Sequence, residues 1–360
     1  MKKHRKNRKI LAITLAAVLC LGAAGCGRRE HAAERQPDSA VATATVSPTR
    51  KPAGTATPVP TVPPDSPVEG TGSKPSDALP VHRVSNVARG AAGELSVIWL
   101  GHSSFLLQMG DKNILCDPVF SERSSPVSWA GPKRFTEAPM TAEDTPEINV
   151  LFLSHDHYDH MDRETILALD AKVGAYVVPE GAQTILAGWG IAETKIHHLA
   201  TWESVTLCGI RFSMTPAQHK GGRGIGVATL AVGVFLSDGA HTVYYTGDSG
   251  YGEHFATICE TFGAPDLMIA ECGQYDKSWP TVHMFPEESA RAAADLHATW
   301  VIPVHWGAFV LSTHAWDDSI RRFVTAAEEL GIRPATPEIG QPVDYRNIAS
   351  FTEHWWEAYR

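Results

Sequence analysis

A mixed α/β fold over residues 88–345 is what this 360-residue sequence predicts, and three observations predict it. Short apolar runs of strand length recur along this stretch, most plainly INVLFLS (148–154), a continuous buried-strand pattern. Segments with helical spacing and helix-end signals are interspersed. In 317–330, Ile320, Val324, Ala327 and Leu330 repeat at that spacing, and Gly331 and Pro334 stop the pattern. A turn signal, GDK (110–112), joins early strands as a hairpin.

The elements follow in chain order. KKHRKNRK (2–9) is basic, and ILAITLAAVLCLGAA (10–24) is apolar but shorter than the ~20 residues a membrane span needs. Together they read as a secretory signal. The run closes on AAGC, which resembles a bacterial lipoprotein box, with Ala23 where leucine is usual. That resemblance implies a lipoprotein signal peptide over 1–25 and lipidation of Cys26. The expected location is the bacterial cell envelope, lipid-anchored on the extracytoplasmic side of the membrane. Residues 26–87 are rich in Pro, Thr, Ala and Ser with few large apolar residues, so a disordered tether is expected there.

Strands are expected at LSVIWL (95–100), SFLLQM (104–109), NILCD (113–117) and 148–154, then at VGAYVVP (173–179), VTLCGIRFSMTP (205–216), ATLAVGVFLSD (228–238) and HTVYYTGD (241–248). Helices are expected at 162–170, at 286–298 with Pro286 in the first turn, and at 317–330 with Asp317 or Asp318 as cap. Residues 346–360 are left as a C-terminal tail, and no repeat is present.

The formal charge is −9; six of the 31 basic residues lie in 2–9, so the chain without its signal has 25 basic against 40 acidic residues, a formal −15. This argues against a nucleic-acid partner, which needs a basic footprint. Cys116, Cys208, Cys259 and Cys272 form no CxxC pair, which argues against a thiolate zinc site and leaves buried free thiols as the expectation.

The chemistry concentrates in LSHDHYDH (153–160), which follows a buried strand and precedes a helix. Such loops at strand C-termini are where α/β active sites lie. Charged and polar groups crowded this way need solvent, pairing or coordination. His155 and His157, two apart in an extended turn, point the same way, and Asp159 and His160 follow. Imidazole and carboxylate suit Zn²⁺, Mn²⁺ or Fe. These residues begin two adjacent metal sites without completing either, since a catalytic zinc wants about three protein ligands. Further candidates lie after later strands: His219 after SMTPAQ, Asp248 after VYYTG and His305 in WVIPVHWG. His283 sits on a loop before a helix.

HxHxDH followed by a lone His, a lone Asp and a final His resembles the metallo-β-lactamase superfamily over nearly all of 95–325. WLGHSSFLLQ, CDPVFSERSSPVSWAGPKRF, LSHDHYDHMD, PAQH, TGDSGY and PVHWGAF resemble the branch containing N-acyl-phosphatidylethanolamine-hydrolysing phospholipase D and its bacterial relatives. The resemblance implies a four-layer αββα sandwich and two divalent cations, zinc first, with Mn²⁺ or Fe as alternatives. His155, His157 and His219 would hold one ion, Asp159, His160 and His305 the other, and Asp248 would bridge them. It further implies a hydroxide held between the metals as nucleophile.

Asp159 and His283 are the expected catalytic residues, His283 protonating the leaving group or contacting phosphate. Asp117, ending a strand beside the site, is expected to orient a metal-bound histidine. His102 reads as a local hydrogen-bonding residue. His197, His198, His241, His254, His297 and His314 read as surface or core histidines. Tyr158 and Tyr251 read as pocket lining or aromatic packing. KGGRGIG (220–226) reads as a flexible lip at which Arg223 steers an anionic substrate; here the sequence departs from the phospholipase, which has a tryptophan-containing segment. The expected activity is that of a phospholipase-D-like phosphodiesterase acting on a small-molecule or lipid diester. The alternatives are a lactonase or ester hydrolase of the ascorbate-6-phosphate lactonase type and a non-catalytic metal-binding lipoprotein.

Overall fold

Period-two alternation in the early strands decides the layering. The computed structural model describes residues 44–45, 72–223 and 229–360. The expected signal peptide, Cys26, most of the tether and residues 224–226 of the glycine-rich lip lie outside the described residues.

The regular elements are β1 (Ala44–Thr45), β2 (Leu95–Trp99), β3 (Phe105–Met109), β4 (Lys112–Cys116), β5 (Ile148–Phe152), α1 (Arg163–Leu169), β6 (Val173–Pro179), α2 (Ala182–Gly188), β7 (Ile196–Leu199) and β8 (Glu203–Leu207). They continue as β9 (Ile210–Pro216), β10 (Val232–Ser237), β11 (Thr242–Tyr245), α3 (His254–Phe262), β12 (Leu267–Glu271), α4 (Pro286–Asp295), β13 (Trp300–Val304), α5 (Asp318–Glu329) and β14 (Pro342–Asp344). One sheet runs β14-β2-β3-β4-β5-β6-β7 and the other β1-β8-β9-β10-β11-β12-β13. Hairpin pairs β2–β3–β4 and β8–β9–β10–β11 are antiparallel, whereas β4–β5–β6–β7 and β11–β12–β13 are parallel.

Val97, Trp99, Phe105, Leu107 and Ile114 face the other sheet and join its Phe212, Met214, Val234 and Tyr245 in the main core. Their neighbours Ile98, Leu106 and Leu115 face outward and meet Ile166, Leu169 and Leu186 of α1 and α2. On the far side, Phe255 and Ile258 of α3, Ala290 and Ala293 of α4, and Ile320, Phe323, Val324 and Ala327 of α5 pack with the second sheet. The layers therefore follow the order helix, sheet, sheet, helix. No helix among the described residues is long and apolar enough to cross a membrane.

Several elements differ from the sequence expectation. The run 205–216 is a hairpin rather than one strand. Cys208 (φ 53°) and Gly209 (φ 82°) form its two-residue turn, with Leu207 opposite Ile210. Both turn residues need positive φ, which two-residue hairpins demand and an apolar flank conceals. Cys208 is consequently exposed instead of buried, while Cys116 and Cys272 are buried. Helices α2 and α3 carry no side-chain cap and were not signalled; Ala182 and Leu186, and Phe255 and Ile258, hold them by burial. Asp317 occupies the α5 N-cap position without a capping bond, because its carboxylate faces Arg360 Nε at 3.0 Å. Asp318 instead bonds Tyr275, Arg321 and Arg322.

The folded part also exceeds 88–345 on both sides. Leu79 and Val84 are buried, and the His82 amide donates to Ile339 O at 2.8 Å. In the expected tail, Trp356 is fully buried, and Trp355 and Tyr359 pack against the core. These anchors lie in segments that form no strand or α-helix, so no periodic pattern marks them in the sequence.

Six strands end at one edge of the two sheets and deliver the chemically active side chains there. Asp117 follows β4, His155 follows β5, His219 follows β9, Asp248 follows β11, Glu271 ends β12 and His305 follows β13.

Candidate metal centre

The loop after β5 turns tightly: His160 and Met161 amides both donate to His157 O, at 3.1 and 2.9 Å. This winds His155, His157, Asp159 and His160 around one point, with His155 and His160 fully buried. Asp117, itself buried, anchors the loop. Its carboxylate accepts the Ser154 amide (2.8 Å), the Ser154 hydroxyl (2.5 Å) and the Tyr245 hydroxyl (2.7 Å). Its Oδ2 lies 2.8 Å from His160 Nδ1, which leaves Nε2 of that ring turned inward. The other rings are held in the same manner: His219 Nδ1 lies 2.8 Å from Val282 O, and His305 Nδ1 lies 3.1 Å from Gly273 O. Gly273 allows this approach, because a β-carbon there would sit 2.0 Å from His305 O.

The inward atoms form three overlapping donor sets, two of which carry three histidines each. Of those two, His155, His157, His219 and Asp248 make one, and His102, Asp159, His160 and His305 the other, each with its atoms within 4.8 Å of one another. Asp248 lies between them: Oδ2 is 3.1 Å from His160 Nε2 and 3.6 Å from His155 Nε2, and Oδ1 is 3.3 Å from His305 Nε2. Asp159 Oδ2 is 3.5 Å from both His160 Nε2 and His305 Nε2 and 2.8 Å from His102 Nε2. All seven sequence-predicted ligand candidates thus meet. His102, expected to bond locally, bonds to Asp159, 57 positions away.

Three features fit this centre to divalent cations. His155 Nε2 and Asp248 Oδ1 are buried with no hydrogen-bond partner among the described residues. Imidazole nitrogens face one another, His157 Nδ1 to His219 Nε2 at 3.2 Å and His160 Nε2 to His305 Nε2 at 3.3 Å. Opposed lone pairs repel unless a proton or cation sits between them. The donors are all nitrogen and oxygen, matching Zn²⁺, Mn²⁺ or Fe. The backbone is bent to assemble them: His102, Asp117 and His305 adopt φ of 51°, 42° and 72°, a left-handed region that packing must impose on such residues.

Burial keeps most of the imidazoles neutral, the ligating form. It pushes His155 well below the ordinary histidine value, His219 down to about 4 and His102 to about 3. For His160 burial acts the same way, but Asp248 and Asp159 outweigh it and raise the ring. Burial would raise the carboxyls of Asp159 and Asp248, yet His160 beside them holds both well below the usual range.

Glu271 is the residue that sequence reasoning missed. It is fully buried, accepts the Ser249 amide at 2.6 Å and contacts His283 Nδ1. Burial, and then Asp248, push its carboxyl well above the usual range. The available signal was an acid closing an otherwise apolar strand, LMIAE. His283 stacks on His305 with centroids 5.3 Å apart, and its Nδ1 is 3.9 Å from Asp248 Oδ2. Burial lowers His283.

Arg223, expected to steer substrate, is engaged with the ligand loop itself. Its guanidinium donates to the backbone carbonyls of Asp156, His157 and Met161, and lies 4.3 Å over the Tyr158 ring. Polar backbone oxygens in a tight loop need donors, and this side chain supplies them. A cavity of about 390 Å³ opens beside Tyr158, lined also by Arg123, Arg163, Trp189 and Arg223. Tyr251 packs on Phe255 and bonds Asp295, away from that cavity.

Comparison with known proteins matches residues 112–306 to the beta-lactamase superfamily domain. An uncharacterised protein of Mycobacterium tuberculosis is 35% identical over 277 residues, covering 76% of this chain and 74% of its own. The N-acyl-phosphatidylethanolamine-hydrolyzing phospholipase D 1 of Caenorhabditis elegans is 30% identical over 271 residues, covering 70% of this chain and 76% of its own. Among solved structures, Igni18, a metallo hydrolase from Ignicoccus hospitalis, superposes with a TM-score of 0.53 at 19% identity, covering 70% of this chain and 98% of its own; this is a likeness of fold.

Proposed function

Because this chain belongs to the metallo-β-lactamase superfamily, as a metal-dependent hydrolase near the N-acyl-phosphatidylethanolamine-hydrolysing phospholipase D branch, we propose that it hydrolyses phosphodiesters, lipid diesters among them. The observation that carries this reading is Asp248 set between two histidine-rich donor sets. In it, His155, His157 and His219 would hold one divalent cation and Asp159, His160 and His305 the second, with Asp248 placed to serve either. Zinc is the ion proposed. When bound, such a pair acidifies water for attack on phosphorus near neutral pH and offsets charge on the phosphoryl oxygens.

The chain's own residues supply the rest. Asp117, Val282 O and Gly273 O each engage the Nδ1 of one histidine, which aims Nε2 of His160, His219 and His305 at a common centre. His102 holds Asp159 in place. As the new P–O bond forms and the old one breaks, His283 gives a proton to the departing oxygen. The cavity beside Tyr158, with Arg123 and Arg163 on its wall, receives the rest of the diester.

The proposed location is the bacterial envelope, with a lipid on Cys26 as anchor. Its support is the basic 2–9 segment, the apolar 10–24 run and AAGC.

The test is hydrolysis by the metal-replete full chain in detergent. Bis-p-nitrophenyl phosphate should turn over well above a chromogenic lactone; the reverse ranking rejects the diesterase reading. Metabolic labelling with radioactive palmitate should mark the wild type and not Cys26→Ser, and an unlabelled wild type rejects the anchor.

A further inference from the structure

We propose that Glu271 is a positioning residue for His283, holding that imidazole by Nδ1 so that Nε2 is the nitrogen presented to substrate. The proposal rests on the diesterase reading for its kinetic consequence alone; the geometry is independent of it.

A carboxylate at the end of a central parallel strand is costly to bury without partners. Its register partner on β13 is the apolar Val304, and LMIA ahead of Glu271 is wholly buried. Both oxygens of Glu271 are committed. Oε2 takes the Ser249 amide at 2.6 Å, which fixes the carboxylate to the segment carrying Asp248. Oε1 meets His283 Nδ1 and stands 3.7 Å from His305 Nδ1, which is itself bound to Gly273 O. Glu271 also lies within 4.8 Å of donor atoms from Asp248, His283 and His305.

His283 arrives on a loop tied down independently. Gln218 Nε2 donates to Thr281 O at 2.7 Å, and His219 Nδ1 lies 2.8 Å from Val282 O. The ring lies 15° from the plane of His305. What remains free is rotation of the ring about its own bond, and the Oε1 contact removes it. Nε2 is on the opposite edge and has no hydrogen-bond partner among the described residues, while the side chain keeps 14% exposure. A buried carboxylate, an imidazole and a free distal nitrogen in line is the arrangement that orients a proton-transferring histidine.

The experiment combines a double-mutant cycle with ¹⁵N-imidazole spectra of the full-length, metal-replete chain, the His283 signals being identified by their loss in His283→Ala. On a glycerophosphodiester, whose leaving oxygen needs a proton, Glu271→Leu should lower kcat by about 10- to 100-fold with KM nearly unchanged. Glu271→Gln, which retains an acceptor, should recover most of that loss. In the His283→Ala background Glu271→Leu should add less than about threefold. In the spectra, Glu271→Leu should shift the His283 Nδ1 resonance and Glu271→Gln should largely preserve it. Should Glu271→Leu fail to fold, judged by thermal melting, Glu271→Asp withdraws the carboxylate by one methylene and must shift the same resonance.

Full additivity of the two losses, an Nδ1 resonance indifferent to Glu271, or loss of a metal ion in Glu271→Gln would each overturn the proposal. A wild type inert toward every diester, with the Nδ1 resonance still dependent on Glu271, would reject the diesterase reading and leave the positioning intact.

Discussion

Asp248 Oδ2 lies 3.1 Å from His160 Nε2, and the same oxygen lies 3.6 Å from His155 Nε2. One carboxylate therefore joins donors that begin the histidine loop with one that ends it. Asp248→Ala should reduce bound metal from close to two ions per chain to one or fewer, measured by plasma mass spectrometry, and take turnover to background. Two retained ions with normal turnover would remove Asp248 from the centre.

Asp117 binds Ser154, Tyr245 and His160 with one buried carboxylate. Asp117→Ala strands these donors, at about 1–3 kcal/mol for each left unsatisfied. We expect a clear fall in melting temperature and a ~10- to 100-fold loss of metal affinity, read by chelator competition. Unchanged metal affinity would confine Asp117 to holding the fold.

Arg223 clamps three carbonyls of the ligand loop. Arg223→Met should weaken metal binding by roughly tenfold, and Arg223→Lys should recover little of it, since an ammonium lacks the guanidinium fork. If Arg223→Met raised KM for anionic diesters with metal affinity untouched, a steering role would replace the clamp.

Trp356 is fully buried, although it lies in a segment that reads as a tail. Trp356→Ala should destabilise by about 3–5 kcal/mol, the usual cost of deleting a large buried aromatic. Denaturant unfolding measures this, and a loss under about 1 kcal/mol would show that the segment contributes little.

His254 is held down to about 4 by burial. Because the folded value lies below the ordinary 6.5, the unfolded chain binds more protons between these two values. Stability from this residue is complete above about pH 6.5, declines as pH falls toward 4, and levels off below it. The change is of the order of 2–3 kcal/mol. His254→Gln should flatten the melting-temperature profile in that window; an unaltered profile would assign the acid sensitivity to other groups.

What the sequence determined by itself is whatever neighbours in the chain decide. The helices 163–169, 286–295 and 318–329 were legible because apolar spacing, Pro286 and Gly331 act within a few residues. The histidine loop was legible because His155, His157, Asp159 and His160 are close in sequence at a strand end. His219, Asp248 and His305 could be named as candidates because each follows its own apolar strand.

Tertiary structure alone decided the remainder. The acid closing LMIAE marks Glu271 only as unusual: its meaning comes from Ser249 and His283, brought to it by parallel strand pairing and a returning loop. His102 reaches Asp159, and Arg223 reaches the loop carbonyls, across 57 and more than 60 residues. Leu79, Val84 and Trp356 join the core from segments that form no strand or α-helix. Local pattern reports which face of an element is apolar, whereas a buried polar partner is chosen by the need to satisfy it, and that need exists only once the layers have closed.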